Sequence, residues 1–385
     1  MLFYGCPGSF SYFPTNFTGW EEKIHEGQVY FSNHLTKSTQ WRHPRTGKRK
    51  IVSKALPFGW EKKTFPDGKE IFINHEEKKT SYLDPRLAFA KEVQDEENLN
   101  NFRQRFDGST YALQILHGQD LSGLVAIVTG ASPDGIGYEM ARSLARSGCT
   151  VIFACRDISK AEISIGKVKS ERKYVKAIPM RLDLASLNSV KSFVEEFRTS
   201  FSKLDFLILN AGIFGHEHKI TEDNLELTFQ VNYLSHFYLT CLLKDSLKNS
   251  NRQKVITISA ESHRFASWSH SIDFSKDSLT SSLISKNFNP ILSYNDSKLC
   301  CLMLALSVHR QFGFKAIAVH PGNMISSNIS RNSWLYRLAF AFVRPFAKSL
   351  QQAAASGVFA AAGMFHEILF KLLSRTNICN CVYNI

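Results

Sequence analysis

Acidic residues are in short supply: 34 Asp and Glu stand against 47 Lys and Arg, a formal net charge of +13. The basic residues are spread along the whole length, with one cluster at Lys48-Arg49-Lys50. No recognised nucleic-acid module accompanies them, so the charge reads as solvated surface and nucleic-acid binding is excluded. No charged segment followed by an apolar run opens the chain, so no signal peptide is expected. A long uninterrupted apolar run is also missing. The most apolar late stretch, Trp334 to Leu373, is broken by Arg337, Arg344, Pro345, Lys348 and His366-Glu367, so no transmembrane segment is expected. The eight cysteines lack metal-ligand spacing: Cys300-Cys301 are adjacent, Cys149 and Cys155 sit in apolar runs, and Cys379-x-Cys381 is isolated. No metal is expected, and reduced thiols in a reducing compartment place the chain in the cytoplasm.

What is present exceeds one average domain, with 385 residues of which 44% are hydrophobic, enough for a real core. The N-terminal quarter repeats itself. Gly19-Trp20-Glu21 returns as Gly59-Trp60-Glu61, and Phe31-Ser32-Asn33-His34 as Phe72-Ile73-Asn74-His75. Thr39, Trp41 and Pro44 return as Thr80, Tyr82 and Pro85. Each copy has three short strand-like runs separated by turns. Residues 1 to 16 show no periodicity. Gly47-Lys48-Arg49-Lys50 reads either as a solvated linker or as a nuclear import signal, which would add the nucleus as a location. Lys91 to Asn101, charged and polar, reads as a hinge.

The two copies, residues 17–48 and 57–89, resemble WW domains, small three-stranded all-β modules that take proline-rich ligands. An opening Trp stacked on the closing Pro makes a minimal core, and the other face offers a groove to a polyproline II helix. In the first copy Tyr30 and Trp41 fill the aromatic slots, with Ser32 and His34 beside them. The resemblance implies Pro-Pro-x-Tyr partners for it. The second copy has Ile71 and Tyr82 in those slots and reads as a supporting or weakly binding partner, or as a spacer.

After a linker at residues 90–120, the remainder, residues 121–385, is organised by a glycine-rich turn. Leu124 to Val128 is an apolar, β-branched run that enters Thr129-Gly130-Ala131-Ser132-Pro133-Asp134-Gly135-Ile136-Gly137, and Tyr138 to Ser147 has helical periodicity. A second apolar strand follows at Val151 to Ala154. Strand, glycine turn and helix make a phosphate cradle: the turn needs positive φ, and the helix N-terminus offers free N–H groups. Further strands are expected at Val175–Met180, Leu204–Leu209, Lys254–Ser259 and Lys315–His320. Helices are expected around Ser186–Thr199, Asn224–Leu247 and Tyr294–Phe312. This alternation predicts an α/β fold with a doubly wound parallel (Rossmann) sheet, with ligands beyond the carboxyl ends of the strands.

The spacing Thr-Gly-x-x-x-x-Gly-x-Gly resembles the loop of the short-chain dehydrogenase/reductases, one residue longer than that family's usual loop. The resemblance assigns cofactor contacts to Thr129, Gly130, Ser132, Gly135, Ile136 and Gly137, and to Asp183, to Asn210-Ala211-Gly212 and to the turn Pro321-Gly322. Arg156 closes the second strand, where a guanidinium suits the 2′-phosphate of NADP rather than the ribose hydroxyls of NAD. Tyr294 and Lys298, four residues apart, share one helix face, and the ammonium is expected to draw the phenol pKa toward working pH so that it exchanges a proton with the substrate oxygen. Tyr294 and Lys298 also belong to the cofactor site, and Asn232 matches the asparagine that anchors a water in the family's proton relay. The catalytic half is also similar to retinol dehydrogenases, which implies a lipophilic, steroid- or retinoid-like alcohol or carbonyl.

Two departures stand out. The family's substrate-orienting serine is the second of a Ser-Ser pair, which here reads Ser259-Ala260. Ser259 is then expected to face away from substrate, with Ser262 entering from the next loop. After Ala362 the family pattern is lost. Two functions therefore stand side by side: an NADP-dependent oxidoreductase whose WW domains choose its location, and a signalling adaptor carrying a catalytically weak dinucleotide-binding scaffold. For either, the combination implies signalling in apoptosis, transcriptional control or the Wnt pathway.

Overall fold

The computed structural model describes residues 19–53, 55–66, 68–93, 106, 108–267, 288–322, 325, 348–362 and 382–383. Residues 1–16, hinge residues 94–101, most of the Trp334–Leu373 stretch, and the divergent sequence that follows Ala362 except Val382–Tyr383, Cys379-x-Cys381 included, lie outside the described residues. The chain divides into two compact units, Met1–Phe102 and Arg103–Ile385.

In the first unit, β1 (Trp20–His25) and β2 (Gln28–Asn33) form a hairpin. Its two-residue turn places Glu26 at φ 49 and Gly27 at φ 80, the left-handed pair that matches the twist of the flanking strands. Along β2, Val29, Phe31 and Asn33 are buried while Tyr30 and Ser32 face the other way, as a pleated strand requires. β3 (Ser38–Gln40) covers only Phe31 to Asn33, which leaves the backbone groups at the start of β2 unpaired on that edge. Two further strands meet this demand, so the sheet has five strands rather than the expected three.

β4 (Arg49–Ile51) pairs with Gln28 and Val29, and β8 (Lys91–Val93) pairs with β4. The basic cluster read as a linker is therefore partly a strand, with Lys50 Nζ donating to Glu22 and Lys48 Nζ to Glu92, each at 2.7 Å. The first residues of the expected hinge are the outer strand. Trp20, Ile24, Leu87 and Ala90 pack against buried Val29, Phe31 and Val52. Leu87 and Ala90 follow the second copy in sequence. That copy is a separate antiparallel sheet of β5 (Trp60–Thr64), β6 (Glu70–Asn74) and β7 (Lys79–Ser81).

The second unit is built on a seven-stranded sheet in the order β11-β10-β9-β12-β13-β14-β15. The strands are β9 (Val125–Thr129), β10 (Thr150–Cys155), β11 (Ala177–Arg181), β12 (Phe206–Leu209), β13 (Lys254–Ile258), β14 (Lys315–Val319) and β15 (Val382–Tyr383). All pairs are parallel except β14 with β15. The central strands are buried on both faces, so they read as unbroken apolar runs rather than alternations.

One face is covered by the helices Ile136–Arg146 and Leu350–Ala362, the other by Leu187–Ser200, Ser235–Leu242 and Pro290–Phe312. The Leu350–Ala362 helix, not expected from the sequence, is rich in alanine and carries no polar stripe to mark a boundary. Its small residues allow close approach, and a Cβ on Gly357 would collide with Met140 Sδ. Ala112, Ile115 and Leu116, assigned to the linker, lie in the same core as Leu121, with Phe106 packed against it. Pro290–Phe312 is long and apolar enough to cross a membrane by length and composition, yet half of that stretch is buried inside the unit, as in a core helix.

Candidate active site and peptide groove

The strand order reverses between β9 and β12, and the crevice at their carboxyl ends is where a doubly wound sheet binds ligands. There the two chain segments touch through backbone. Gly130 has φ +69, and a Cβ on it would lie 2.9 Å from Ala211 Cα; one on Gly137 would collide with Asn210 Nδ2 and sit 2.6 Å from the Gly130 oxygen. Only glycine fits either position. The Thr129 hydroxyl accepts from Asn210 N at 2.9 Å and Ala211 N at 3.0 Å, and Asn210 Nδ2 donates to Thr129 O at 2.9 Å. The Ile136–Arg146 helix begins at Gly135 without a side-chain cap, so its first N–H groups are left for a ligand. The extra residue of the long loop is accommodated by Asp134, at φ 59, whose carboxylate lies 3.5 Å from Lys167 Nζ.

Around this cradle, Arg156 is exposed just past β10, whereas its neighbour Asp157 caps the next helix by accepting from Ser159 N. Asp183, past β11, accepts from Ala185 N. Beyond β14, Pro321 is buried and Gly322 has φ +109. The glycine cradle and the uncapped helix end fit the pyrophosphate of a dinucleotide.

Tyr294 and Lys298 come to the same edge. Lys298 Nζ donates to Ile258 O at 2.9 Å and lies 5.5 Å from the centre of the Tyr294 ring. Phe214, four residues after Asn210, meets Tyr294 edge-on with ring centres 4.8 Å apart. Gly212 is pressed against this pair, since a Cβ there would be 3.4 Å from both Lys298 Nζ and Asn232 Oδ1. Asn232 lies in a π turn, Gln230–Leu234, inside the helical region expected at Asn224–Leu247. Its amide accepts from Ile213 N at 2.8 Å and donates to Ile213 O at 3.0 Å and Ser297 Oγ at 2.9 Å.

One expectation is corrected. Burial of the Tyr294 phenol pushes its pKa above the ordinary tyrosine value, and the opposing pull of Lys298 does not offset it.

Ser259 is turned away, its hydroxyl donating to Lys298 O at 2.8 Å. Ala260 carries no hydroxyl. Ser262 Oγ is shut off from solvent with no hydrogen-bond partner among the described residues. Sequence reasoning missed Phe214, Ser297 and His236, although His236 stands one helical turn after Asn232, a spacing that was open to view.

In the first unit, Tyr30 and Trp41 meet at 5.8 Å in an edge arrangement. They line a groove of about 220 Å³ with His25, Thr39 and Gln40. His25, missed from sequence, lies 6.4 Å from Trp41 between ring centres. Ser32 shares the outward face of β2 with Tyr30. His34 Nε2 is 2.7 Å from Glu21 Oε2, beside the groove rather than in its wall. In the second copy Tyr82 is 77% exposed, so no aromatic pair flanks Ile71.

Residues 124–271 match the short chain dehydrogenase family. The chain is 46% identical over 353 residues to the WW domain-containing oxidoreductase of Drosophila melanogaster, covering 89% of this chain and 84% of that protein. Its identity to the human protein of the same name is also 46%, over 371 residues, 94% of this chain and 88% of that one. The chain belongs to the WW domain-containing oxidoreductase family. The mouse protein named retinol dehydrogenase 12 is 34% identical over 63% of this chain and 74% of its own length. The N-terminal sheets fit the WW domains of that family, and the seven-stranded unit is a short-chain dehydrogenase/reductase domain, of a family that uses NAD(P).

Because the helix seats directly on the loop through Gly137, Gly137→Ala is expected to destabilise the second unit by about 1–3 kcal/mol and to remove dinucleotide binding. Thermal melts and a fluorescence titration with NADPH check both.

Proposed function

We propose that the second unit is an NADP-dependent oxidoreductase acting on a lipophilic, steroid- or retinoid-like alcohol or carbonyl, and that the first WW domain, residues 17–48, directs it to Pro-Pro-x-Tyr partners. The observation that carries the enzymatic half is the placement of Tyr294 and Lys298 beside Gly212 and Phe214 at the carboxyl edge of the sheet. Exposed Arg156, next to an aspartate already spent on a helix cap, supports NADP over NAD. Thr129, Gly130, Ser132, Gly135, Ile136, Gly137, Asp183, Asn210 and Pro321-Gly322 would hold the dinucleotide, which when bound would give hydride to a carbonyl carbon or take it from an alcohol carbon. Tyr294 gives or takes the proton at the substrate oxygen, and Lys298 eases formation of its anion. Asn232 keeps the Gly212–Ile213 turn and the Tyr294 helix in register and is the residue to which the relay water is assigned. With Ser259 bonded to Lys298 O, Ser262 is the hydroxyl assigned to the substrate in place of the one that Ala260 lacks. Phe214 and exposed Phe265, Ile291 and Leu292 supply an apolar surface suited to a lipophilic substrate.

The adaptor reading draws on two observations, the absent hydroxyl at Ala260 and the raised pKa of Tyr294, both of which slow proton transfer. Slow catalysis and partner binding are compatible in one chain.

NADPH is expected to bind saturably and more tightly than NADH. Ala260→Ser is expected to raise turnover of a retinoid or steroid carbonyl on the order of 10²-fold, the usual worth of one preorganised donor to the reacting oxygen. Fluorescence titration and a carbonyl panel check these; unchanged turnover in the variant would remove the serine argument. For the groove, Tyr30→Ala is expected to weaken a Pro-Pro-x-Tyr peptide by about tenfold or more, as loss of an aromatic hot spot does. Calorimetry giving equal affinities would discard the ligand assignment.

A further inference from the structure

Thr129, Asn232 and Tyr294 come from three separate segments, yet one buried side chain ties them together. His236, 2% exposed, places Nδ1 3.1 Å from the main-chain oxygen of Asn232 and Nε2 3.0 Å from Thr129 Oγ1. A carbonyl oxygen only accepts, so Nδ1 carries the proton. In the neutral ring Nε2 then accepts, and the Thr129 hydroxyl donates to it at 3.0 Å in preference to Ile208 O, which lies farther off at 3.4 Å. Thr129 Oγ1 keeps two lone pairs, and these are taken by Asn210 N–H and Ala211 N–H.

Donors and acceptors thus match in a single protonation state and a single tautomer. An imidazolium would drive a second N–H against an oxygen whose lone pairs are already engaged. Burial also keeps the ring neutral, holding its pKa down at about 4. Cys301 Sγ, 3.4 Å away, is a second donor to the same Asn232 oxygen. From Asn232 the connection continues through its amide to Ser297 Oγ, which donates to Tyr294 O at 2.7 Å.

We infer that His236 is a positioning residue for the oxidoreductase reaction: its Nδ1–H tautomer fixes the π turn against the glycine loop, and through Asn232 and Ser297 sets the backbone that carries Tyr294. The inference rests on the oxidoreductase reading above. It goes beyond it by making the dinucleotide loop and the acid/base helix parts of one hydrogen-bonded chain. Displacing Thr129 then displaces Tyr294.

The test uses the full chain with His236→Phe, which fills the space without either bond, and His236→Gln, whose amide offers one donor and one acceptor. Nitrogen chemical shifts of labelled histidine read the tautomer directly. They are expected to report a neutral ring protonated at Nδ1 across about pH 5.5 to 8, well above its depressed pKa. His236→Phe is expected to lower kcat for the carbonyl by about tenfold or more with little change in KM, as small misplacements of reacting groups do. His236→Gln is expected to recover most of that loss. A merely structural role would lower the melting temperature and leave kcat of the folded fraction untouched.

A ring protonated at Nε2 at neutral pH, or a folded His236→Phe with wild-type kcat, overturns the assignment. If His236→Phe does not fold, a His236→Gln protein with wild-type kcat and an Nδ1–H tautomer in the parent support it, and the opposite tautomer overturns it. A wild-type chain that neither binds NADPH nor reduces any carbonyl sinks the oxidoreductase reading itself and takes this assignment with it. Wild-type turnover with an unaffected His236→Phe sinks the assignment alone.

Discussion

The close approach of two chain segments, stitched by the Thr129 hydroxyl and the Asn210 amide, sets the geometry of the second unit. Where the chain leaves β9 it passes within van der Waals reach of the chain leaving β12, and Gly130 and Gly137 are the positions that permit it. The helix after the loop is thereby drawn onto the sheet, and its uncapped N–H groups face the crevice at the switch point. Gly212 lies one layer out, in van der Waals range of Lys298 and Asn232. Close packing at these positions leaves little room to absorb a change by relaxation.

The environment of Tyr294 reflects a balance between two effects of similar kind. Its helix buries the phenol, which disfavours the charged form, while Lys298 favours it; burial is the larger. Lys298 meanwhile spends one N–H on Ile258 O. The phenol thus sits above its ordinary pKa, with the methyl group of Ala260 just past the end of β13.

Legibility in the sequence followed the reach of the interactions. Strands buried on both faces announced themselves as apolar runs, and β9, β10, β12, β13 and β14 lie within a residue or two of where they were expected. Tyr294-x-x-x-Lys298 and Asn210-Ala211-Gly212 were readable because their spacing is local. The Leu350–Ala362 helix was not, because its alanines and glycine owe their places to a helix some two hundred residues earlier. The sign of the Tyr294 shift was missed for the same reason: a charge four residues away is visible in a sequence, while desolvation by distant segments is not. Strands β4 and β8 escaped because their charged residues read as linker, whereas their pairing depends on the length of β3.

The attachment of β8 to the first sheet has a bearing on biosynthesis. Synthesis runs from the N-terminus, yet the five-stranded sheet includes Lys91–Val93, and Leu87 and Ala90 pack against its core. A nascent chain ending just before the second copy holds β1 to β4, with the outer edge of β4 bare and part of the apolar surface wet. The first module thus reaches its final form only after the second has emerged from the ribosome, the reverse of the usual order in which N-terminal modules are finished first.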